Sequence, residues 1–379
     1  MNVFRRLPLS RLLALCAGVV VIGISVTAIA LAAGSGPTPP AKPLAQAVHD
    51  AMTGPSVEGF SADVKLTNGL LEGANLASGG GQGGAGGAGG ELASSPLLSG
   101  ASGRLWVSSD GRVRLELQAE KGDTQIIYDG KTAQLYDAST NTLYRYTPSG
   151  TGGWTGYAPL KSHGDANHPA GGSHEPPSVA KIEEAITKAK EHANLSGATP
   201  ANVGGKAAYT VRVSPRETGS LIAGAELSFD AGNGLPLRAA IYSTDSSSPV
   251  IELATSSVAY GPVSDSVFAF TPPPGAKIVE VKPPEGGATS KHSPGGQKPT
   301  VTRHGKGLGS VWVLEEKSSG KGGTSKGLEG LPKVKINGVS ASELKTALGT
   351  VLSFERSGVS YVLAGAVAPK DIEALARGL

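Results

Sequence analysis

Hydrophobic and polar positions change period several times along this chain of 379 residues, and each change marks an element. LAQAVHDAMTG sets Leu44, Val48, Ala51 and Met52 at helical spacing and stops at Gly54-Pro55, which predicts one short amphipathic helix. GFSADVKLTNG then alternates. Phe60, Ala62, Val64 and Leu66 share one side and Ser61, Asp63, Lys65 and Thr67 the other, as in a strand with one wet face. Between Ser102 and Thr147, alternating runs are separated by SSDG, EKGD, YDGK and DAST, each a turn signal. Spacing this close leaves no room for crossover helices, so these runs predict an antiparallel meander. Val113, Leu115 and Leu117 lie on one face of their strand, and Arg112, Arg114, Glu116 and Gln118 on the other. With Leu105, Val107 and Leu135 they make a face that something apolar must cover.

Farther on, SVAKIEEAITKAKEH starts with Ser178 as an N-cap, ends in basic residues and carries Val179, Ile182 and Ile186 down one side, a second amphipathic helix. KAAYTVRVSP, AGAELSFD, GLPLRAAIYS and PVIELATSSVAY read as four strands, the middle pair joined through Gly232-Asn233-Gly234. In FAFTPPPGAKIVEV, Pro272, Pro273 and Pro274 cannot donate ladder hydrogen bonds, so the sheet is expected to end there. The last stretch reads as a smaller unit. GSVWVLEEK and KVKI are expected strands, SASELKTALG a helix capped near Ser340 or Ser342, VLSFERSGVSYVLAGAV a hairpin turning at Ser357-Gly358, and APKDIEALARGL a closing helix. The fold class is therefore α+β: one antiparallel sheet of about ten strands with two helices, followed by a small α+β unit.

Composition adds boundaries. Arg5, Arg6 and Arg11 precede an apolar run from Leu12 to Ala33, which is an export signal or a membrane anchor. At roughly 22 residues it is long enough to span a bilayer, while Ala30-Leu31-Ala32 fits a cleavage site. Either way the chain from Gly34 onward is extracytoplasmic, membrane-anchored or secreted. Residues 34–43 read as a spacer, 44–281 as the main domain with Gly-rich loops at 68–100 and 149–177, 282–307 as a linker, and 308–379 as the C-terminal unit. Cys16, the sole cysteine, falls inside the apolar run, so the exported part has neither disulfide nor thiol nucleophile. Leu15 before it and Ala17-Gly18-Val19 after it do not suit lipidation.

The net charge of +3 is dispersed, with no basic run interleaved with aromatics, which argues against nucleic acid. His163, His168 and His174 share a Gly-rich loop without a fixed element to set coordination geometry, so no metal site is expected. GTSKG (323–327) matches a nucleophile elbow in letters, but its flanks are loop, and SSGK (318–321) is set aside on the same ground. DGKT (129–132) reads as a hairpin turn. No catalytic residue and no cofactor is expected.

The ordered set GRLWV, DGRVRLELQ, IIYDGKTAQLYD, NTLYRY, KAAYTVRVSP, LSFDAGNGLPLRAAIY and VFAFTPPPGAKIVEV resembles the LolA/RseB-like family of lipoprotein carriers and sigma-factor regulators, over Leu44 to Val281. The resemblance implies a strongly curved, incomplete β-barrel whose mouth holds lid helices and whose apolar interior accepts acyl chains. Leu105, Val107, Val113, Leu115, Leu117 and Leu135 would then face that cavity. Leu44, Val48, Met52, Val179, Ile182 and Ile186 would belong to the lid. Arg114 matches a family arginine that latches the lid; read from its strand alone, it is an outward residue paired with a neighbouring acid. The implied partners are a lipid or lipoprotein acyl chain or, in a tethered regulator, an anti-sigma factor or other envelope protein, with the membrane met through the N-terminal segment. GVSYVLAGAVAPKDIEALARGL resembles small domains appended to exported regulatory proteins of Gram-positive bacteria.

Overall fold

The computed structural model describes residues 36–72, 100–120, 122–147, 176–281, 300–317 and 331–379. The N-terminal apolar run with Cys16, most of both Gly-rich loops with His163, His168 and His174, and the GTSKG and SSGK motifs lie outside the described residues.

Helix α1 (Leu44–Thr53) precedes β1 (Gly59–Asn68). The meander follows as β2 (Ala101–Ser108), β3 (Val113–Ala119), β4 (Gly122–Tyr128), β5 (Ala133–Asp137) and β6 (Thr142–Tyr146). After α2 (Val179–His192) come β7 (Ala193–Leu195), β8 (Thr199–Val203), β9 (Lys206–Pro215), β10 (Ile222–Asp230), β11 (Pro236–Ser243), β12 (Pro249–Tyr260) and β13 (Lys277–Glu280). These form one open 13-stranded sheet in the order β13-β6-β5-β4-β3-β2-β1-β12-β11-β10-β9-β7, with β8 also on β9. Its strands outnumber the expected ten because β7, β8 and β13 were not anticipated. Gly204 and Gly205, both with positive φ, make the two-residue turn between β8 and β9. The prolines do not end the sheet: after a short 3₁₀ turn and Pro272–Pro274, β13 returns to pair with β6, parallel where every other ladder in this sheet is antiparallel.

Curvature is built into the ladders. The β1–β12 register shifts between Asp63 and Val64, which leaves Ser256 as an extra residue, and such bulges increase local twist. Leu235, at the β10–β11 turn, consequently packs in the same apolar cluster as Val107 and Leu117 of the distant β2 and β3.

A second sheet is six-stranded, in the order β14-β15-β19-β18-β17-β16. Its strands are β14 (Thr300–His304), β15 (Val311–Lys317), β16 (Lys333–Ile336), β17 (Val339–Thr346), β18 (Gly349–Arg356) and β19 (Val359–Gly365), and α3 (Pro369–Arg377) closes the chain. Here SASELKTALG is β17 and not a helix. Its helix-forming composition is overridden by ladders on both sides, to β16 and β18. Asn337-Gly338, at φ 48 and 84, makes the tight turn into β17, a hairpin signal that was present in the sequence. Thr300–His304, within the stretch read as linker, pairs with β15 as β14.

Candidate functional site

Helices α1 and α2 lie over the β9–β10 end of the large sheet and leave a cavity of 450 Å³ between themselves and the strands. α1 presents Leu44, Val48, Ala51 and Met52; α2 presents Ile182, Ala185 and Ile186; the floor is Val211 of β9 with Leu227 and Phe229 of β10. Phe229 leans on Tyr209, whose hydroxyl donates to the Pro40 carbonyl at 2.7 Å. Lys181 is the one charged residue in the lining, and it is exposed at the rim.

The walls are fixed by polar contacts outside the cavity. Ser178 Oγ accepts from the Lys181 amide and caps α2. His49 Nδ1 lies 3.0 Å from the Pro177 carbonyl and ties α1 to the start of α2. Asp50 accepts from Lys42 and Gln46, both at 2.6 Å, and these bonds hold its carboxyl below the usual range. At its C-terminal end α1 rests on the β10–β11 turn, backbone against backbone. A Cβ on Gly54 would meet the Gly232 carbonyl oxygen at 2.0 Å, and one on Gly234 would meet the Ala51 oxygen at 2.9 Å. That turn is held by Asp230, whose Oδ1 accepts from the Gly232 and Asn233 amides and whose Oδ2 accepts from the Tyr260 hydroxyl.

The cavity floor continues across the sheet. Registers align Val211, Leu227, Ala239, Leu253, Leu66 and Ala101 in one cross-strand row. Four residues on along β2, the same face carries the row Leu105, Leu115, Ile126, Leu135 and Tyr144. The sheet therefore presents one long apolar face, of which the helices cover one end.

Of the residues expected in the lid, Leu44, Val48, Met52, Ile182 and Ile186 line the cavity, while Val179, at the first turn of α2, is not among the lining residues. The expected cavity residues of the meander are placed elsewhere. Leu105, Val107, Val113, Leu115 and Leu117 belong to a separate cluster with Phe60, Ala62 and Val64, and Leu135 is the next-but-one neighbour of Leu115 in its row. They share the cavity's face of the sheet but stand several strands from it, because the helices settle on β9 and β10. Val211, Leu227 and Phe229 are not singled out by the sequence reading, although the alternation in KAAYTVRVSP and AGAELSFD holds that signal, and Gly234 is read there only as part of a turn.

Arg114 meets neither α1 nor α2. It donates to the Val267 carbonyl at 2.8 Å and to Gln125 at 3.1 Å, and pairs with Glu116 at 2.6 Å. It thus fastens the segment after β12 to the opposite face of the meander, where Tyr136 also packs on Phe270.

On the reverse face of the cavity strands, charged residues interlock. Glu226 accepts from Arg238 (2.8 Å), Arg212 (3.1 Å) and the Tyr242 hydroxyl (2.7 Å), and Arg238 also reaches Glu252 at 2.5 Å. Burial works against the Glu226 anion, but Arg238, Tyr242 and Arg212 outweigh it and hold the carboxyl below its ordinary range. Burial likewise pushes the Tyr242 hydroxyl up. Asp129 Oδ1 accepts from the Lys131 and Thr132 amides, so DGKT is a side-chain-closed turn. Among the described residues no group of three or more His, Cys, Asp or Glu is arranged to hold a metal, and no helix is long and apolar enough to cross a membrane.

Fold and cavity define an open antiparallel half-barrel with an apolar pocket beneath two helices. No family model matches the chain, and no curated protein does. Among solved structures it is similar to MucB in complex with MucA(peri), with 16% identity over 88% of this chain and 94% of that one and a TM-score of 0.40. The Pseudomonas aeruginosa MucA/MucB complex gives 16% identity, the same coverages and a TM-score of 0.39. A LolA superfamily protein from Nitrosomonas europaea gives 9% identity over 85% of this chain and 91% of that one, with a TM-score of 0.17.

Proposed function

We propose that this chain is an extracytoplasmic, non-enzymatic binding protein that takes a lipid acyl chain, free or on a peptide, into the cavity under its two lid helices. The observation that carries the proposal is the cavity itself: 450 Å³, walled by aliphatic and aromatic side chains, with its one charge at the rim. Ligand pockets of small molecules span roughly 300–1,000 Å³. An acyl chain needs no polar partner inside, and each methylene removed from water contributes about 0.8 kcal/mol. Lys181 at the rim suits the anionic end of such a ligand.

The test is a titration of the chain from Gly34 onward with a fluorescent acyl probe. The parent takes up the probe, and Leu227→Trp, which fills the floor, weakens uptake by about tenfold or more, equivalent to roughly two methylenes of contact. Absence of lipid in a solvent extract, together with no probe uptake by the parent, would overturn the proposal. A chain that ignores the probe yet binds the exported segment of an anti-sigma factor or another envelope protein would favour the regulatory role implied by the RseB side of the resemblance.

A further inference from the structure

The six-stranded sheet has a covered face and a bare one. Val313, Leu363 and Leu352 align on the face where Ile372 and Ala376 of α3 pack. On the reverse, Trp312 stands opposite Arg303 and Ala364, and Leu314 opposite Val301 and Val362. Val301 is 58% exposed and Trp312 52%, and Leu308, in the 3₁₀ turn between β14 and β15, is also exposed. Three of the most exposed large apolar residues among the described ones thus fall within a single β-hairpin.

Cations accompany them. The Arg303 guanidinium sits 5.6 Å from the Trp312 ring centre and is held there by Ser310 Oγ (2.8 Å) and the Gly307 carbonyl (3.1 Å). Lys306 and His304 lie on the same connection, both exposed. From Gly286 to Leu314 the sequence has Lys291, Lys298, Arg303 and Lys306, two histidines, and no Asp or Glu. The nearest acids are Glu315 and Glu316 farther along β15 and Glu217, beside Gly307.

We infer that this bare face docks on an anionic lipid surface, with Trp312, Val301 and Leu308 entering the interfacial layer and Arg303 and Lys306 meeting lipid phosphates. Trp beside Arg or Lys, ringed by aliphatic residues, is the chemistry of the membrane–water interface. Charge selects this occupant over a second copy of the chain, since a two-fold contact through this patch would bring its cations against one another. The N-terminal apolar run, read as an export signal or anchor, would deliver the chain to such a surface.

The experiment uses the full chain with Trp106→Phe and Trp154→Phe, which leaves Trp312 as the sole tryptophan, in lipid nanodiscs. The discs are phosphatidylcholine alone or with roughly one-third phosphatidylglycerol. In anionic discs Trp312 emission shifts to the blue and is quenched by brominated lipid; in neutral discs both effects are several-fold smaller, and high salt reverses them. Arg303→Glu with Lys306→Glu abolishes the difference between the discs. A nitroxide on Val301→Cys, in a Cys16→Ser background, gives an independent depth reading should the tryptophan variant fail to fold. Equal emission in both discs and in detergent overturns the proposal. So does a blue shift in detergent that grows with protein concentration, which would mark an interface between copies.

Discussion

Replacing Glu226 by glutamine keeps the shape of the side chain and removes one charge from the network behind the cavity floor. The carboxylate takes three hydrogen bonds, from Arg238, Arg212 and Tyr242, with its side chain 15% exposed. Hydrogen bonds to a charged group contribute about 1.5–3 kcal/mol each, but the three do not sum. The amide oxygen retains one acceptor, Arg212 has access to water, and Arg238 keeps Glu252. The expected net loss is about 2 kcal/mol, or roughly 4–8 °C in Tm for a domain of this size. The pH dependence carries a sign. Because the folded-state carboxyl is held below the ordinary glutamate value of 4.5, its stabilisation is present above that value and lost as pH falls through the lower folded one. Thermal unfolding followed from neutral to acid pH should therefore show parent and variant converging in acid. A double-mutant cycle with Arg238→Met should return a coupling of about 1 kcal/mol or more. The reasoning fails if the variant stays within about 0.5 kcal/mol of the parent at neutral pH, or if the gap persists in acid. Acyl-probe affinity should not change, since Glu226 points away from the face that carries Leu227.

Glu343 is expected to behave in the opposite sense. Burial, with the Glu373 carboxylate beside it, pushes its carboxyl up, so the associated stability is present below 4.5 and lost as pH rises through the folded value. Glu343→Gln should raise the Tm of the C-terminal unit at neutral pH by a few °C, about 0.5–1 kcal/mol, and leave it unchanged in acid; calorimetry at two pH values decides this. Gly54→Ala forces a methyl group onto the Gly232 carbonyl and should cost about 1–3 kcal/mol while altering probe affinity, measured by denaturant melts and titration. Across a series of fatty acids, each added pair of methylenes should tighten binding about 15-fold until the cavity is full, and then no further. A flat series by displacement titration would exclude acyl burial.

Local chemistry wrote much of this fold plainly into the sequence. Strict alternation marked β1 through β6, and Ser178 with the Val179–Ile182–Ile186 stripe marked α2. Ser357-Gly358, at φ 53 and 75, turned the hairpin where expected. Segments whose state is set by neighbours were less legible. β17 is rich in helix formers and becomes a strand through its ladders, and β13 returns to the sheet after three prolines because its partner β6 offers a free edge. The cavity was misplaced for a related reason. Periodicity shows that Leu115 and Leu227 each lie on an apolar face, but which part of that face the helices cover depends on where the chain after Gly54 meets the β10–β11 turn.

That meeting point brings backbone against backbone, Gly54 on Gly232 and Gly234 on Ala51, with the Ala51 methyl group alongside. The side chains of Leu44 and Val48 pack on the cluster of Tyr209, Val211 and Phe229 and so help to seat the helix whose stripe they form. The glycines set where the C-terminal end of α1 sits, while the stripe both holds the helix down and lines the cavity. A change of side chain at Leu44 or Val48 therefore alters the cavity lining and the packing of α1 together, while the seat of its C-terminal end stays with the glycines.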